Sequence, residues 1–321
     1  MLVRFWGTRG SLPVALRADA HLAKIAHALF VAGGRRFMDE ASAVRFARSK
    51  LDFATAGTYG GATPCVEIEG GEEAFVVCDM GSGLREFGLS ALRRCAEGHP
   101  RVYHFFLSHL HWDHIMGFPY FRPAYESGAR IVIHSGHPDA EQALRRQQAE
   151  GAFPVPFDAL KARIEFVTHP TGERFTAAGL RVMLIRQAST HGSFGYRFEQ
   201  PGRAVVYSTD AEHSPEEMDK ESEFEAFFDR ADLVICDTMY SLGDNAGTLR
   251  EDTGHSSNVV AVDLCHSAGA QRLALFHHEP RYSDLDIQRM HAETLHYEEL
   301  VRGDRPRLEV ICAYDGLEVE I

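Results

Sequence analysis

Ser108-His109-Leu110-His111-Trp112-Asp113-His114 places four side chains of metal-ligand type within six positions, 109 to 114. The run follows Val102-Tyr103-His104-Phe105-Phe106-Leu107, whose length and aromatic and β-branched content are those of a buried strand. It precedes Ile115-Met116-Gly117-Phe118-Pro119-Tyr120-Phe121, an apolar segment with a Gly/Pro break that reads as a short helical turn. Three imidazoles and a carboxylate therefore crowd the carboxyl end of a strand, where the backbone turns and aims alternate residues at different points. His109 and His111, two apart, can reach one cation, and the adjacent pair Asp113 and His114 can turn toward a second. A polar loop that happens to be rich in histidine is the plainer reading. Four such donors on a rigid strand end speak against it.

The chain has 321 residues, enough for one large domain or two ordinary ones, and its 45% hydrophobic and 25% charged content is that of a globular protein. No apolar stretch reaches the roughly eighteen residues of a membrane span, and Met1-Leu2-Val3-Arg4-Phe5-Trp6 enters strand-like sequence without a signal-peptide pattern. The expectation is a cytoplasmic protein with no membrane partner. The six cysteines are scattered with no CxxC pair, and Cys78, Cys236 and Cys312 lie in apolar runs, so buried free thiols are expected. A formal net charge of −13 argues against sequence-independent binding of long nucleic acid, which rests on Lys and Arg neutralising phosphates.

Outward from the motif, other strand ends carry the same residue types. Asp79 closes the strand Ala74–Cys78, just before a glycine-rich turn and a helix, and is placed to accept an imidazole N–H and fix a ligand's tautomer. His191 stands before the strand Phe194–Phe198, a Gln200-Pro201-Gly202 turn reverses the chain, and Ala204–Tyr207 runs back to Asp210. A hairpin brings its outer ends together, so His191 and Asp210 belong at one end of the sheet, as a histidine for the first cation and a carboxylate that bridges both. His277 ends the strand Leu273–Phe276, with His278 beside it. Neighbours on an extended chain face opposite ways, so His277 is assigned to the metal and His278 to solvent or to a supporting role.

Gly254-His255-Ser256-Ser257 introduces a helix over Asn258–Ser267, with serine as its cap. His255 and Ser256 at that N-terminus can meet an anionic group, although helix capping alone would also explain His255. Arg9, in the two-glycine loop Gly7–Ser11, either meets a substrate phosphate or braces the loop. Phe153-Pro154-Val155-Pro156-Phe157 is either packing or a hydrophobic rim for a base or aryl group. Residues from about Ala15 to Asp52 read as two helices, with Leu22, Ile25, Ala26, Leu29 and Phe30 on one face. They interrupt a β-rich region as an insertion, to cover a sheet edge or to form a lid.

The ordered set His109, His111, Asp113, His114, His191, Asp210, His277 resembles the ligand set of the metallo-β-lactamase-fold hydrolases, especially their ribonuclease Z-like and phosphodiesterase branch. Phe5–Ser11, the YGGxTPC stretch Tyr59–Cys65, Gly254-His255-Ser256 and Leu275–Pro280 look like that branch too. The resemblance implies an α+β fold, a four-layer αβ/βα sandwich forming a single domain over 1–321 with the helical insertion at about 15–52. True β-lactamases of this fold have a cysteine ligand and lack a counterpart of Asp210, so antibiotic hydrolysis is not expected. Five histidines and two carboxylates suit two divalent metal ions, zinc first, with manganese or iron also compatible.

Formal charges leave such a centre, with its bridging hydroxide, at about +1, which attracts a compact phosphodiester. The expected function is a dinuclear-metal phosphodiesterase acting on a small phosphodiester, for example a 3′,5′-cyclic nucleotide. Asp113 would orient the attacking hydroxide, and His255 would bond the phosphate or protonate the leaving oxygen. The alternatives are a ribonuclease Z-like tRNA 3′-endonuclease, a thioester hydrolase of the glyoxalase II type, and a non-catalytic nucleotide sensor. A homodimer is compatible with all of these.

Overall fold

Short runs rich in Val, Ile, Leu and Phe become strands here because branched and aromatic side chains pack well on a pleated surface. The computed structural model describes residues 1–70, 74–189, 192–213, 223–241 and 255–321. In chain order the elements are β1 (Leu2–Gly7), α1 (Ala18–Ala32), α2 (Glu40–Lys50), α3 (Phe53–Ala56), β2 (Cys65–Glu69), β3 (Phe75–Cys78), α4 (Leu84–Ala96), β4 (Val102–Leu107) and α5 (Trp112–Ile115). Then come β5 (Arg130–Ser135), α6 (Ala140–Gln147), β6 (Arg163–Thr168), β7 (Arg174–Ala177), β8 (Leu180–Arg186), β9 (Phe194–Gln200) and β10 (Arg203–Ser208). The chain continues through α7 (Glu223–Phe228), β11 (Leu233–Asp237), α8 (Asn258–Ser267), β12 (Arg272–Phe276), α9 (Asp284–Val301), β13 (Glu309–Cys312) and β14 (Glu318–Glu320).

The strands form two seven-stranded sheets, ordered β14-β1-β2-β3-β4-β5-β6 and β13-β12-β11-β10-β9-β8-β7. Strands β3 to β6 pair in parallel in the first sheet, and β10 to β13 in the second. Successive strand residues face opposite ways, and the apolar contacts follow that period. On β4, Phe106 joins Phe5, Tyr196, Tyr207 and Phe276 in a core between the sheets, whereas Phe105 packs outward with Phe75, Phe87 and Leu144 beneath α4 and α6. A third core, including Val234, Leu275, Val262 and Met290, lies between the second sheet and α8 and α9. Two sheets face to face with helices outside each make the four-layer α+β sandwich.

All six cysteines are free, and five of them are buried. Among the described residues, no helix is long and apolar enough to cross a membrane.

The insertion is helical, but its apolar face does not cover a sheet edge. Leu22, Ile25, Leu29 and Phe30 are 65, 45, 67 and 83% exposed. The face that turns inward carries Ala20, Ala23, Lys24 and His27, and it walls a cavity of about 540 Å³ with residues 280–285. Lys24 sets this orientation, because its ammonium donates to the Gly57 carbonyl at 2.6 Å and pairs with the carboxylate of Asp284. A half-buried ammonium held by a buried carboxylate ties the helix down in this rotation, with its apolar residues left outward.

A second feature lies across sheet one. His104 on β4, His134 on β5 and His169 after β6 form a hydrogen-bonded row, with ring nitrogens 2.9 Å apart at each step and Glu173 at 2.7 Å from His169. A carboxylate only accepts, so His169 Nδ1–H donates to it, and each neighbouring ring must then donate Nδ1–H to the next Nε2. Burial, and then its two histidine neighbours, push His134 down to about 3. An unfolded histidine titrates near 6.5, so between 6.5 and about 3 the unfolded chain takes up a proton that the folded chain refuses. Stability is therefore full above this window and falls as the pH is lowered through it. The urea midpoint is expected to drop between pH 7 and about pH 4, with a shallower drop in His134→Gln, which binds no proton there. Equal slopes for the two proteins would exclude this row as the source.

Candidate metal centre

Parallel pairing sends β3 and β4 one way in the first sheet, and β10, β11 and β12 one way in the second, so side chains just past their carboxyl ends meet at one edge of the sandwich. Asp79 follows β3, His109 follows β4 by one residue, Asp210 follows β10 by one residue, Asp237 ends β11 and His277 follows β12. Three of these, Asp79, Asp210 and His277, have left-handed backbone, at φ 57°, 52° and 61°. A side chain in that region costs about 1–2 kcal/mol, which Asp and His tolerate better than most. The turn ends each ladder and lets the side chain leave the sheet plane. Close approach finishes the edge: a Cβ on Gly10 would lie 2.6 Å from the His277 ring.

Asp79 holds the motif in place. Its Oδ1 accepts from the Ser108 N–H at 2.8 Å, and its Oδ2 accepts from the Ser108 hydroxyl, His114 Nδ1 and the Tyr207 hydroxyl, each at 2.7 Å. These bonds settle the tautomers. His114 donates Nδ1–H to Asp79, so its Nε2 faces the centre. The Ser108 proton is spent on Asp79, so His109 Nδ1, 3.1 Å away, must donate to Ser108 Oγ, leaving Nε2 as a lone pair. That Nε2 is buried and has no hydrogen-bond partner among the described residues.

Four donor atoms then converge. His114 Nε2 lies 3.2 Å from Asp113 Oδ2, 3.1 Å from Asp210 Oδ2 and 3.3 Å from His277 Nε2. His277 Nε2 lies 3.4 Å from the same oxygen of Asp113 and 3.3 Å from that of Asp210. A tetrahedral cation about 2.05 Å from each donor spaces them by about 3.3 Å. The residues fit such an ion. Asp210 turns its other oxygen, Oδ1, to His109 Nε2 at 3.6 Å. His109, His111 and Asp210 form a second set whose donor atoms lie within 4.8 Å of one another. One carboxylate thus faces two sets, one oxygen to each.

The electrostatics show a centre crowded with carboxylates. Burial, and then His114, keep His109 well below the usual imidazole range, the neutral form a metal requires. Burial opposes a charge on His114, yet Asp113, Asp210 and Asp79 together raise it well above that range. Asp113, despite its own burial, is held well below the carboxylate range by His114 and His277.

Six of the seven residues expected as ligands come together; His191 lies outside the described residues. The chain three residues beyond it is fastened to the motif, because Phe194 N–H donates to the Ser108 carbonyl at 2.8 Å. His255 stands against the centre, its ring stacked 5.1 Å from that of His277 and its Nδ1 2.7 Å from Asp237 Oδ2. Burial pulls its pKa down, but Asp237 outweighs that and raises it to about 9.

One expectation needs correction, and two that were left open resolve. Ser256 does not present its hydroxyl to a substrate: it donates to the Ala211 carbonyl at 2.6 Å and accepts from His213 N–H at 3.0 Å, tying residues 211–213 down. Arg9 is a brace, with Nε donating to Gly60 and Nη1 to the carbonyls of Glu279 and Tyr282. His278 is buried, not solvent-facing, and its Nε2–H donates to the Ala313 carbonyl at 2.8 Å.

Two residues had no assigned role in the sequence reading. Asp237 ends a buried strand as Asp79 does, and that shared pattern was the available signal. Tyr207 gave none, because its partner is 128 positions away.

A model of the β-lactamase superfamily domain matches residues 75–278. Among known proteins, ribonuclease Z of Brevibacillus brevis is 29% identical over 151 residues, 46% of this chain and 43% of that protein. The match thus spans less than half of that relative's length. Ribonuclease Z of Haloarcula marismortui is 26% identical over 265 residues, covering 67% of this chain and 79% of the relative. The crystal structure of the metallo-β-lactamase-fold protein YhfI from Bacillus subtilis superposes with a TM-score of 0.60 at 17% identity, over 100% of this chain and 99% of that one, a likeness of fold.

If Asp79 orients His109 and His114 for a cation, Asp79→Asn should weaken metal binding by about 10- to 100-fold. Competition with a chromogenic chelator measures this. Unchanged affinity in a folded variant would remove Asp79 from the centre.

Proposed function

We propose that this chain, a member of the β-lactamase superfamily, is a metal-dependent hydrolase that cleaves a small phosphodiester at a pair of zinc ions. The observation that carries this reading is Asp210, whose two oxygens face two separate sets of donors with no thiolate among them. The first ion would be held by His109, His111 and Asp210, with His191 as the expected further ligand, and the second by Asp113, His114, Asp210 and His277. Zinc is favoured by the near-tetrahedral spacing of the second set. Bound there, two divalent cations supply charge to polarise a phosphoryl oxygen and to lower the pKa of water.

The chain's own residues supply the proton transfers. Hydrolysis adds water across one P–O ester bond: the water oxygen joins phosphorus and the ester oxygen leaves. Asp113 orients the water and accepts one of its protons. His255 gives the departing oxygen a proton from Nε2, because Asp237 already holds Nδ1–H and so fixes which nitrogen faces outward. A cyclic nucleotide is a fitting substrate, since it carries one phosphodiester and little charge beyond it. The net charge of −13 supports a compact substrate over a long polyanion. The free thiols support a reducing, cytoplasmic setting.

A second reading, a tRNA 3′-endonuclease, is favoured by relatives named ribonuclease Z. An activity panel on zinc-loaded protein separates the two, using bis(p-nitrophenyl) phosphate, cyclic nucleotides, a pre-tRNA and S-lactoylglutathione. Turnover of the first two without the others is expected; cleavage of pre-tRNA alone would replace this reading with the second. His255→Ala should lower turnover by about 100- to 10,000-fold with metal content unchanged, measured by elemental analysis. Loss of metal from that variant would make His255 a ligand and not a proton donor.

A further inference from the structure

Of the six described ligand residues, five are buried and His111 is exposed, so the centre meets solvent beside His111. The next residue is Trp112, with 77% of its surface open. It begins a helical stretch that continues past α5, since Met116 and Gly117 keep right-handed backbone as far as the turn Phe118–Tyr120. The stretch has two unlike sides. Asp113, His114, Ile115, Phe118 and Pro119 are buried, while Trp112, Met116 and Tyr120 look outward, half-buried at Met116 and 59% exposed at Tyr120.

Trp112 and Met116 lie above one another, one helical turn and about 6 Å of rise apart, and Tyr120 follows on the adjoining 3-10 turn. The row then continues onto another segment, because the Phe153 ring meets Tyr120 edge-on at 5.4 Å between centroids. Isolated exposed apolar residues need no explanation, but a file of them starting between two metal ligands does. The backbone that carries the indole is anchored: Met116 N–H donates to the Trp112 backbone carbonyl at 2.7 Å, and Gly117 N–H to the Met80 carbonyl at 2.8 Å.

We propose that Trp112 is a stacking platform for an aromatic group, a nucleobase or aryl ring, carried by the phosphodiester at the metal centre, with Met116, Tyr120 and Phe153 receiving the apolar part beyond it. The assignment rests on the phosphodiesterase reading above and narrows it to substrates bearing a base or aryl ring. Every base offers a flat face, so the platform is tolerant of sequence while excluding purely aliphatic esters.

The test uses zinc-loaded full-length protein, with adenosine 5′-monophosphate and ribose 5-phosphate as probes that share a phosphate and differ in the base. Trp112→Ala should lose about 5- to 100-fold in calorimetric affinity for adenosine 5′-monophosphate and keep its affinity for ribose 5-phosphate. Trp112→Phe should retain most of the affinity, with metal content unchanged in both variants. In a Trp6→Phe background, the base-bearing probe should quench the remaining tryptophan's emission. The KM for bis(p-nitrophenyl) phosphate should rise in Trp112→Ala while kcat holds. Hydrolysis by a wild-type protein that binds both probes equally, or equal losses for both in the alanine variant, overturns the platform and leaves the phosphodiesterase reading intact. Absence of hydrolysis with every phosphodiester in the panel overturns both.

Discussion

A single carboxylate without solvent contact, Asp79, joins the two sheets at the edge where the centre is built. Sheet one supplies the backbone of Asp79 and the Ser108 and His114 donors, and sheet two supplies the Tyr207 hydroxyl. Removing the acceptor would leave these donors buried and unpaired, at about 1–3 kcal/mol each. The same bonds set the proton positions on His109 and His114. The same carboxylate therefore both ties the two sheets together and sets which imidazole nitrogens face the centre.

Around that acceptor, strain is concentrated where chemistry is. Left-handed backbone at Asp79, Asp210 and His277 is unfavourable for each residue taken alone. The surrounding contacts over-determine these residues: Asp210 N–H bonds Asp237 Oδ2 at 3.0 Å, and the chain after His277 is zipped to the first loop by Gly10 N–H on the His278 carbonyl at 2.9 Å. The rest of the sandwich, with its three apolar layers, supplies the stability against which these distortions are held.

How much of this was legible in the sequence depends on distance along the chain. The seven-residue motif was readable because its ligands and its strand are contiguous, and Asp210 and His277 because each ends an apolar run. Neighbour alternation separated His277 from His278, but it could not say that Ala313 would take the His278 proton and bury the ring. Ser256 was placed at the helix start correctly, yet its hydroxyl had an unseen competitor in the 211–213 segment. The insertion's helices followed from their period, whereas their rotation followed from Lys24 and Asp284, 260 positions apart. Strand β7 carries little strand signal, because Arg174-Phe175-Thr176-Ala177 is short and carries a charge and a hydroxyl, as sheet-edge segments do.

The divided origin of the centre has a thermodynamic consequence. His109, His111, Asp113 and His114 come from one sheet, and Asp210 and His277 from the other, so a tightly held cation is a staple that only the docked sandwich can close. By mass action, occupancy at a hundred times the dissociation constant adds about 2.7 kcal/mol to the folded state. A cell starved of the ion would hold a looser protein, more readily degraded, and the lifetime of the polypeptide would itself report the supply of metal.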